Sequence, residues 1–406
     1  MLPRTAADAL ECALVGREML DRRVEPAEAL TDCLDVLAQH CVSIAAGGEM
    51  TVEALLHLVR GAWGYRALRE EELIDVLRML SGAFAHAQGK PARPRLFYDA
   101  VQGRVSGDAY SRMLACSGST IPDRGMFPVY LEDGTTRLGE LDEEFVFEAR
   151  VGDRFMLGAF PWQMTRIGRD RVIVRAVGRA GAQVPFWRGE EMGRPYALGV
   201  RIGAWMRRLE EGLDAGEGAA FLMRLLPMDA RTALQVHAML REQREQVGVL
   251  PTDRRMLVEH FRGDAGNDCM MVHSPFGGRV HQGLGILLSD ALHQAIGGEV
   301  LAYHADDGVL CISIGTATLP DDALSLLSPD CIEDALMRLL PGTALFAMVY
   351  RYAAMRALML GMGRRGVRQP LWAQRQRGAA SLEEAMKSRD HPLLLEAARE
   401  CIHQQI

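Results

Sequence analysis

Apolar residues recur at helical spacing through the first eighty positions of the chain. Residues 1–24 carry Leu10, Leu14 and Leu20 among charges and predict one helix, which Pro26 ends. Residues 25–32 read as a linker. In "CLDVLAQHCVSIAA", Leu34, Leu37, Cys41 and Ile44 stand three and four apart. "TVEALLHLVRGAW" begins on Thr51, a good N-cap, and offers Leu55, Leu58 and Val59 to a core. "REEELIDVLRMLSGAFA" offers Leu73, Val76, Leu77 and Leu80. "RLFYDAVQGRVSG" then reads as a hairpin turning near Gln102-Gly103. Three helices followed by a hairpin is the order of a winged helix.

From residue 125 the pattern shortens. "FPVYLEDGTTRLGEL" predicts two strands around Asp133-Gly134. "GDRFMLGAFPWQMTRIGRDRVIVRAV" gives three β-rich runs broken by Gly, Pro and "GRDR". Short strands with close turns predict a small β-barrel. Helical spacing returns over 195–262. Trp205, Leu209 and Leu213 stand four apart, Asp229 is an N-cap, and "LPTDRRMLVEHF" reads as a further helical start after Gly248 and Pro251. Residues 268–315 predict a β–α–β–β unit: "CMMVH", a turn at "SPFGG", the helix "RVHQGLGILLSDALHQAI", and two strands flanking "ADDG". Residues 329–405 are helical around the basic loop "GMGRRGVRQP". The expected fold class is therefore α+β and multidomain. Residues 1–32 form a helix and linker, 33–117 the winged helix, 118–200 the small β-barrel, and 201–406 a mixed α/β and helical region.

Composition narrows the function classes. The 406 residues are 49% hydrophobic and 24% charged, which suits packed cores. No apolar run approaches the length of a membrane span, and no signal-peptide pattern opens the chain. Eight cysteines occur without a C-x-x-C pair, which argues against a zinc site or disulfide framework and for a cytoplasmic setting. The net charge of −7 means that any nucleic-acid site must be a local basic stripe. Only Lys90 and Lys387 are lysines; the other cations are arginines, whose planar forks suit phosphates. The sole Gly-Lys pair, Gly89-Lys90, runs into Pro91 and lacks the phosphate-cradling glycine ahead of it. An Asp-Glu-x-His box is also missing. ATP hydrolysis by this chain alone, and a cofactor within it, are not expected.

Four stretches carry candidate chemistry, each with two readings. In "QVPFWRGEE" (183–191), Trp187 and Arg188 come after the last strand, at the rim of the expected barrel. They pack a core edge, or they offer a flat ring and a cation to a nucleotide. In "SGSTIPDRG" (117–125), Ile121 precedes a proline and should be extended; it is a packed linker residue or a wedge between bases. In "VHSPFGGRVH" (272–281), Arg279 and glycine amides at a helix start hold a phosphate, or the glycines serve a tight turn. The His273–His281 spacing matches no standard metal site. "MGRRGVRQPLWAQRQRG" (362–378) clusters Arg364, Arg365, Arg368, Arg375 and Arg377 near Trp372, as a solvated loop or a phosphate-tracking surface.

Taken together, these residues resemble the large helicase-related (Lhr) family of superfamily 2 translocases. "LDVLAQHCVSIAA", "MLSGAF", "PRLFYDAVQGRV" and "TIPDRG" are similar to its winged helix and exit. "GELDEEFVFEARVGDRFMLG", "PFWRGE", "LPTDRRMLVEHF", "VHSPFGGRVH", "DDGVL", "PLWAQRQR" and "LLLEAARECI" resemble its DEAD/H-associated domain. The family's RecA-like motor domains have no counterpart in these residues, and residues 1–24 look like the tail of the second one. The resemblance implies an ATP-driven 3′-to-5′ translocase that unwinds duplexes, including RNA:DNA hybrids, in DNA repair. ATP and Mg would serve the motor domains. Carried over residue by residue, Trp187 stacks on a base of the tracking single strand and Ile121 acts where the strands part. Arg188 and Arg279 are added as phosphate contacts from local chemistry. Two other classes stay open: a stand-alone DNA-processing, glycosylase-like hydrolase using Asp306 or Asp307, and a scaffold docking on a separately encoded motor through residues 1–24.

Overall fold

The computed structural model describes all residues except 1–2, 24, 26–28, 85–92, 117, 122–125, 143–144, 147–148, 158–159, 169–170, 179–192, 264–265, 361–370, 389 and 406. In chain order the elements are α1 (Ala6–Leu20), α2 (Leu34–Gly47), β1 (Met50–Thr51), α3 (Val52–Arg60), α4 (Glu70–Leu80), β2 (Phe97–Asp99), β3 (Arg104–Ser106) and α5 (Ala109–Ala115). Then come β4 (Met126–Leu131), β5 (Arg137–Asp142), β6 (Arg154–Leu157), β7 (Phe160–Ile167) and β8 (Val172–Ala176). Helices α6 (Tyr196–Asp214), α7 (Ala219–Leu225) and α8 (Ala230–Val247) are next, then β9 (Leu257–Arg262), β10 (Asp268–His273), α9 (Gly278–Ile296), β11 (Val300–Ala305) and β12 (Gly308–Ser313). The last helices are α10 (Ile332–Leu339), α11 (Ala344–Arg356), α12 (Leu371–Ala385) and α13 (Pro392–Glu400). The chain divides into two interleaved units. The first comprises Met1–Glu28, Met192–Leu340 and Ile402–Ile406, the second Ala29–Glu191 and Pro341–Cys401.

The second unit contains the winged helix. Thr51 caps α3 through its side-chain oxygen, as its residue type suggests. The three-stranded sheet runs β1-β3-β2, with the wing turning at Gln102 and Gly103 (φ +58°). Leu73, Val76, Leu77 and Leu80 are all buried. Leu58 is not: it is 53% exposed, and Leu56 takes the inward position. The buried set of α3 is Val52, Leu55, Leu56 and Val59, the i, i+3, i+4, i+7 stripe. Helices α11 and α13 pack on α2, and α13 also covers α4. Beneath them, Arg356 pairs with both Asp35 and Glu400, and Glu396 accepts the Leu34 amide at 2.7 Å at the start of α2.

Residues 126–176 form one five-stranded sheet of order β5-β4-β8-β7-β6, in which β4 and β8 run parallel. Among the described residues no ladder joins β5 to β6. The expected small β-barrel is thus, among the described residues, a half-barrel sheet. Its inner face carries Phe127, Val129, Leu141, Phe155, Met164, Val172 and Val174.

The first unit holds two cores. In one, Leu10 and Leu14 of α1 pack with Ile202, Leu209, Leu222, Val236 and Leu240 of α6–α8. In the other, α9 lies on a four-stranded antiparallel sheet of order β11-β12-β10-β9. Here "LPTDRRMLVEHF" departs from expectation. Its second half is β9, paired residue for residue with β10 from Leu257↔His273 to Arg262↔Asp268. A six-residue run with two flanking turns is too short for its periodicity to choose helix over strand, and pairing with the buried β10 decides it.

Candidate nucleic-acid interface

Trp187 and Arg188 lie in 179–192, outside the described residues. Immediately downstream of that segment stands an anchor, Arg194. Its guanidinium is nearly enclosed, with only 4% of the side chain exposed. It donates to both Glu11 oxygens (3.1 and 2.9 Å), to Asp307 Oδ1 (2.7 Å) and to the carbonyls of Pro275 and Asp306 (3.3 and 3.1 Å). Burial alone would lower its pKa, but Glu11 and Asp307 outweigh burial and raise it. One side chain therefore ties residue 194 to α1, to the 274–277 turn and to the β11–β12 hairpin.

The glycine-rich start of α9 does not offer a phosphate cradle. Asp306 Oδ1 already accepts the Gly278 and Arg194 amides, both at 2.8 Å. A carboxylate thus fills the position where a phosphate would sit, and satisfies the helix N-terminus in the way a bound anion would. The glycines serve close packing. Gly277 has φ +95°, and a Cβ there would stand 1.9 Å from the Arg194 carbonyl oxygen. Arg279, the second residue of α9, is partly buried and donates Nη2 to the His403 carbonyl.

His281 is fully buried; its Nδ1 lies 2.6 Å from the Ala305 carbonyl and its Nε2 3.0 Å from Ser274 Oγ. Burial lowers its pKa. It is a neutral strut between α9 and the sheet. His273 pairs instead with Glu259 at 2.9 Å. Among the described residues, no three potential metal ligands converge.

Ile121 is 81% exposed. The backbone before it is fixed: Gln39 Nε2 of α2 donates to the Ser119 carbonyl at 2.8 Å, and the Ile121 amide donates to Ser119 Oγ at 3.2 Å. An apolar side chain thus stands in solvent two residues after a carbonyl held by α2.

The winged helix presents no basic recognition helix at α4. Six of the eleven residues of α4 are buried, and its first turn is Glu70, Glu71 and Glu72. Glu72 is further paired with Arg69 and with Arg399 of α13. A major-groove reader needs an exposed, donor-rich helix, and this one is acidic and covered.

A cationic sheet face was not anticipated from the sequence. Arg154, Arg166 and Arg175 alternate with core residues on β6–β8 and share the outer face of the half-barrel sheet. The period-two positions of "RFML" and "VIVRA" carried that signal.

Comparison with known proteins supplies the relatives. The model described as "Large helicase-related protein, winged helix domain" matches residues 17–184, and the model described as "DEAD/H associated" matches 250–406. The chain belongs to the large helicase-related (Lhr) family. It is 38% identical, over 99% of its length, to a Mycolicibacterium smegmatis protein named Lhr helicase/probable uracil glycosylase, of which it spans 27%. It is 27% identical, over 97% of its length, to the ATP-dependent helicase Lhr-Core of Methanothermobacter thermautotrophicus, of which it spans 46%. A solved Mycobacterium smegmatis helicase Lhr, bound to ssDNA and AMP-PNP, superposes with a TM-score of 0.74 at 33% identity, covering 99% of this chain and 47% of that one. This Lhr-family chain thus spans about half the length of the solved helicase. Among its described residues, no helix is long and apolar enough to cross a membrane.

Proposed function

We propose that this chain is the single-strand-binding and strand-guiding part of an Lhr-type, ATP-driven 3′-to-5′ translocase acting in DNA repair. The observation that carries the reading is the likeness, over 99% of the chain, to a helicase captured on ssDNA. Trp187 is the seat for a base, Arg188 a phosphate contact beside it, and Ile121 the apolar edge where strands part. Stacking on an indole is sequence-tolerant and contributes roughly 1–3 kcal/mol per base, which suits a protein that must grip every nucleotide in turn. Arg194 fixes the chain just beyond the Trp187 segment. The chain offers no phosphate-binding motif for ATP, and nucleotide chemistry is assigned to RecA-like motor domains carried with it or encoded separately. RNA:DNA hybrids are the second substrate class. The hydrolase reading is disfavoured, because Asp306 is committed to two backbone amides and Asp307 to Arg194.

The test is binding of single-stranded oligonucleotides of several sequences to the 406-residue chain. Trp187→Ala is expected to weaken binding roughly 5- to 150-fold for every sequence, the equivalent of 1–3 kcal/mol. A folded variant with unchanged affinity would refute the seat.

A further inference from the structure

The outer face of the half-barrel sheet carries none of the residues assigned above to the single strand. Residues 151–178 carry five arginines against two aspartates in a chain that is acidic overall. Strand register places those on β6–β8 together. In one row Arg154 stands opposite Gln163, and Gln163 opposite Arg175. In the next row Arg166 stands opposite Ile173, which pairs across to Tyr130. Phe155, Met164, Val172 and Val174 point into the core from the intervening positions, so these arginines must face outward. Arg154, Arg166 and Arg175 are exposed. Arg175 Nε and Nη2 both donate to the neutral Gln163 Oε1, at 3.0 and 2.8 Å, which braces the guanidinium without neutralising it. The Arg171 guanidinium lies 5.2 Å over the Tyr130 ring. On β5 the same face bears Arg137, Glu140 and Asp142, and Arg137 is paired with Glu140, so the unbalanced positive charge lies on β6–β8.

We propose that the outer face of β6–β8 is a second nucleic-acid site, one that holds the phosphate backbone of duplex DNA independently of sequence. The chemistry selects this ligand. Rows of a sheet repeat roughly every 7 Å along the strands and strands lie about 5 Å apart, so long arginine side chains cover a two-dimensional field of donors rather than a line. Single-strand sites need open aromatic platforms; here the Tyr130 ring is stacked under Arg171. Arginine forks engage phosphate oxygens bidentately and ignore base identity. The inference rests on the reading of the chain as a nucleic-acid-binding part of a helicase, and assigns duplex DNA to the outer face of β6–β8.

The experiment compares blunt duplex and single-stranded oligonucleotides binding to the 406-residue chain by fluorescence anisotropy, across about 50–200 mM salt. For Arg166→Glu/Arg175→Glu, duplex affinity is expected to fall about tenfold or more, and the log–log salt slope to shrink by about two. Single-strand affinity should stay within about twofold of the parent chain. Trp187→Ala should show the reverse selectivity. Melting temperature and circular dichroism establish folding; if the charge reversal does not fold, Arg166→Gln/Arg175→Gln is expected to give the same selectivity with a smaller loss. Unchanged duplex affinity in a folded variant, parallel loss of both forms, or no duplex binding by the parent chain would each overturn the proposal. Unchanged single-strand affinity in Trp187→Ala, with the duplex result as expected, would count against the indole seat and leave this face standing.

Discussion

Arg194→Met removes the anchor next to the Trp187 segment while keeping an unbranched apolar stem. Five donor contacts disappear: two to Glu11, one to Asp307 and two to backbone carbonyls. A fully buried pair broken on one side costs about 3–5 kcal/mol. The discount here is set by the partners. The Glu11 and Asp307 side chains are 39% and 75% exposed, so both carboxylates keep much of their hydration after the change. The Pro275 and Asp306 carbonyls lose their guanidinium donor, at about 1 kcal/mol each. The sum is about 2–4 kcal/mol. Arg194→Lys should recover less than half, because one ammonium cannot span Glu11, Asp307 and two carbonyls. The assay is urea unfolding monitored by circular dichroism, with single-strand affinity measured on the folded variants. Affinity should drop alongside stability, since the Trp187 segment leads directly into this anchor. A stability change under about 0.5 kcal/mol would show that Arg194 does not hold these elements together.

Packing and burial give two more expectations. Gly277→Ala should destabilise by at least about 2 kcal/mol, because left-handed backbone and a 1.9 Å approach to the Arg194 carbonyl combine; Gly297→Ala, with φ +66° and open space, should cost about 1 kcal/mol, and equal losses in thermal unfolding would remove the clash argument. Burial, and then the Asp35 charge, push Glu396 up to about 7. A carboxyl whose folded pKa is raised favours the fold below its ordinary value of 4.5, and that support is lost as pH rises through about 7. Glu396→Gln should therefore gain about 2–3 kcal/mol relative to the parent chain between pH 4.5 and pH 8, and flat pH dependence in both proteins would contradict the assignment.

Element types were readable wherever a long apolar stripe or a capping residue fixed them. Thr51, Asp229 and the β10–turn–α9 run are examples: each depends on neighbours within a few residues. The departures lie where distant partners decide. β9 becomes a strand only because β10 lies beside it, and Leu58 points outward because Leu56 completes the stripe. Closure of the half-barrel depends on how β5 and β6 meet, which no local pattern encodes. The roles of Asp306 and Arg279 were equally hidden. A carboxylate 28 residues from Gly278 fills the helix start, and a carbonyl 124 residues away accepts from Arg279 Nη2. The arginine rows on β6–β8 were present in the sequence as alternation, but register was needed to place them on one face.

Trp187 as the seat for a base of the tracking strand can be tested at the residue itself. A single-stranded oligonucleotide carrying 5-iodouracil is photocross-linked to the chain, and the modified peptide is mapped. An adduct on Trp187 is expected for every flanking sequence, competed away by excess unlabelled strand and absent from Trp187→Ala. Adducts confined to Trp63, Trp162 or Trp205, with Trp187 unmodified, would contradict the seat.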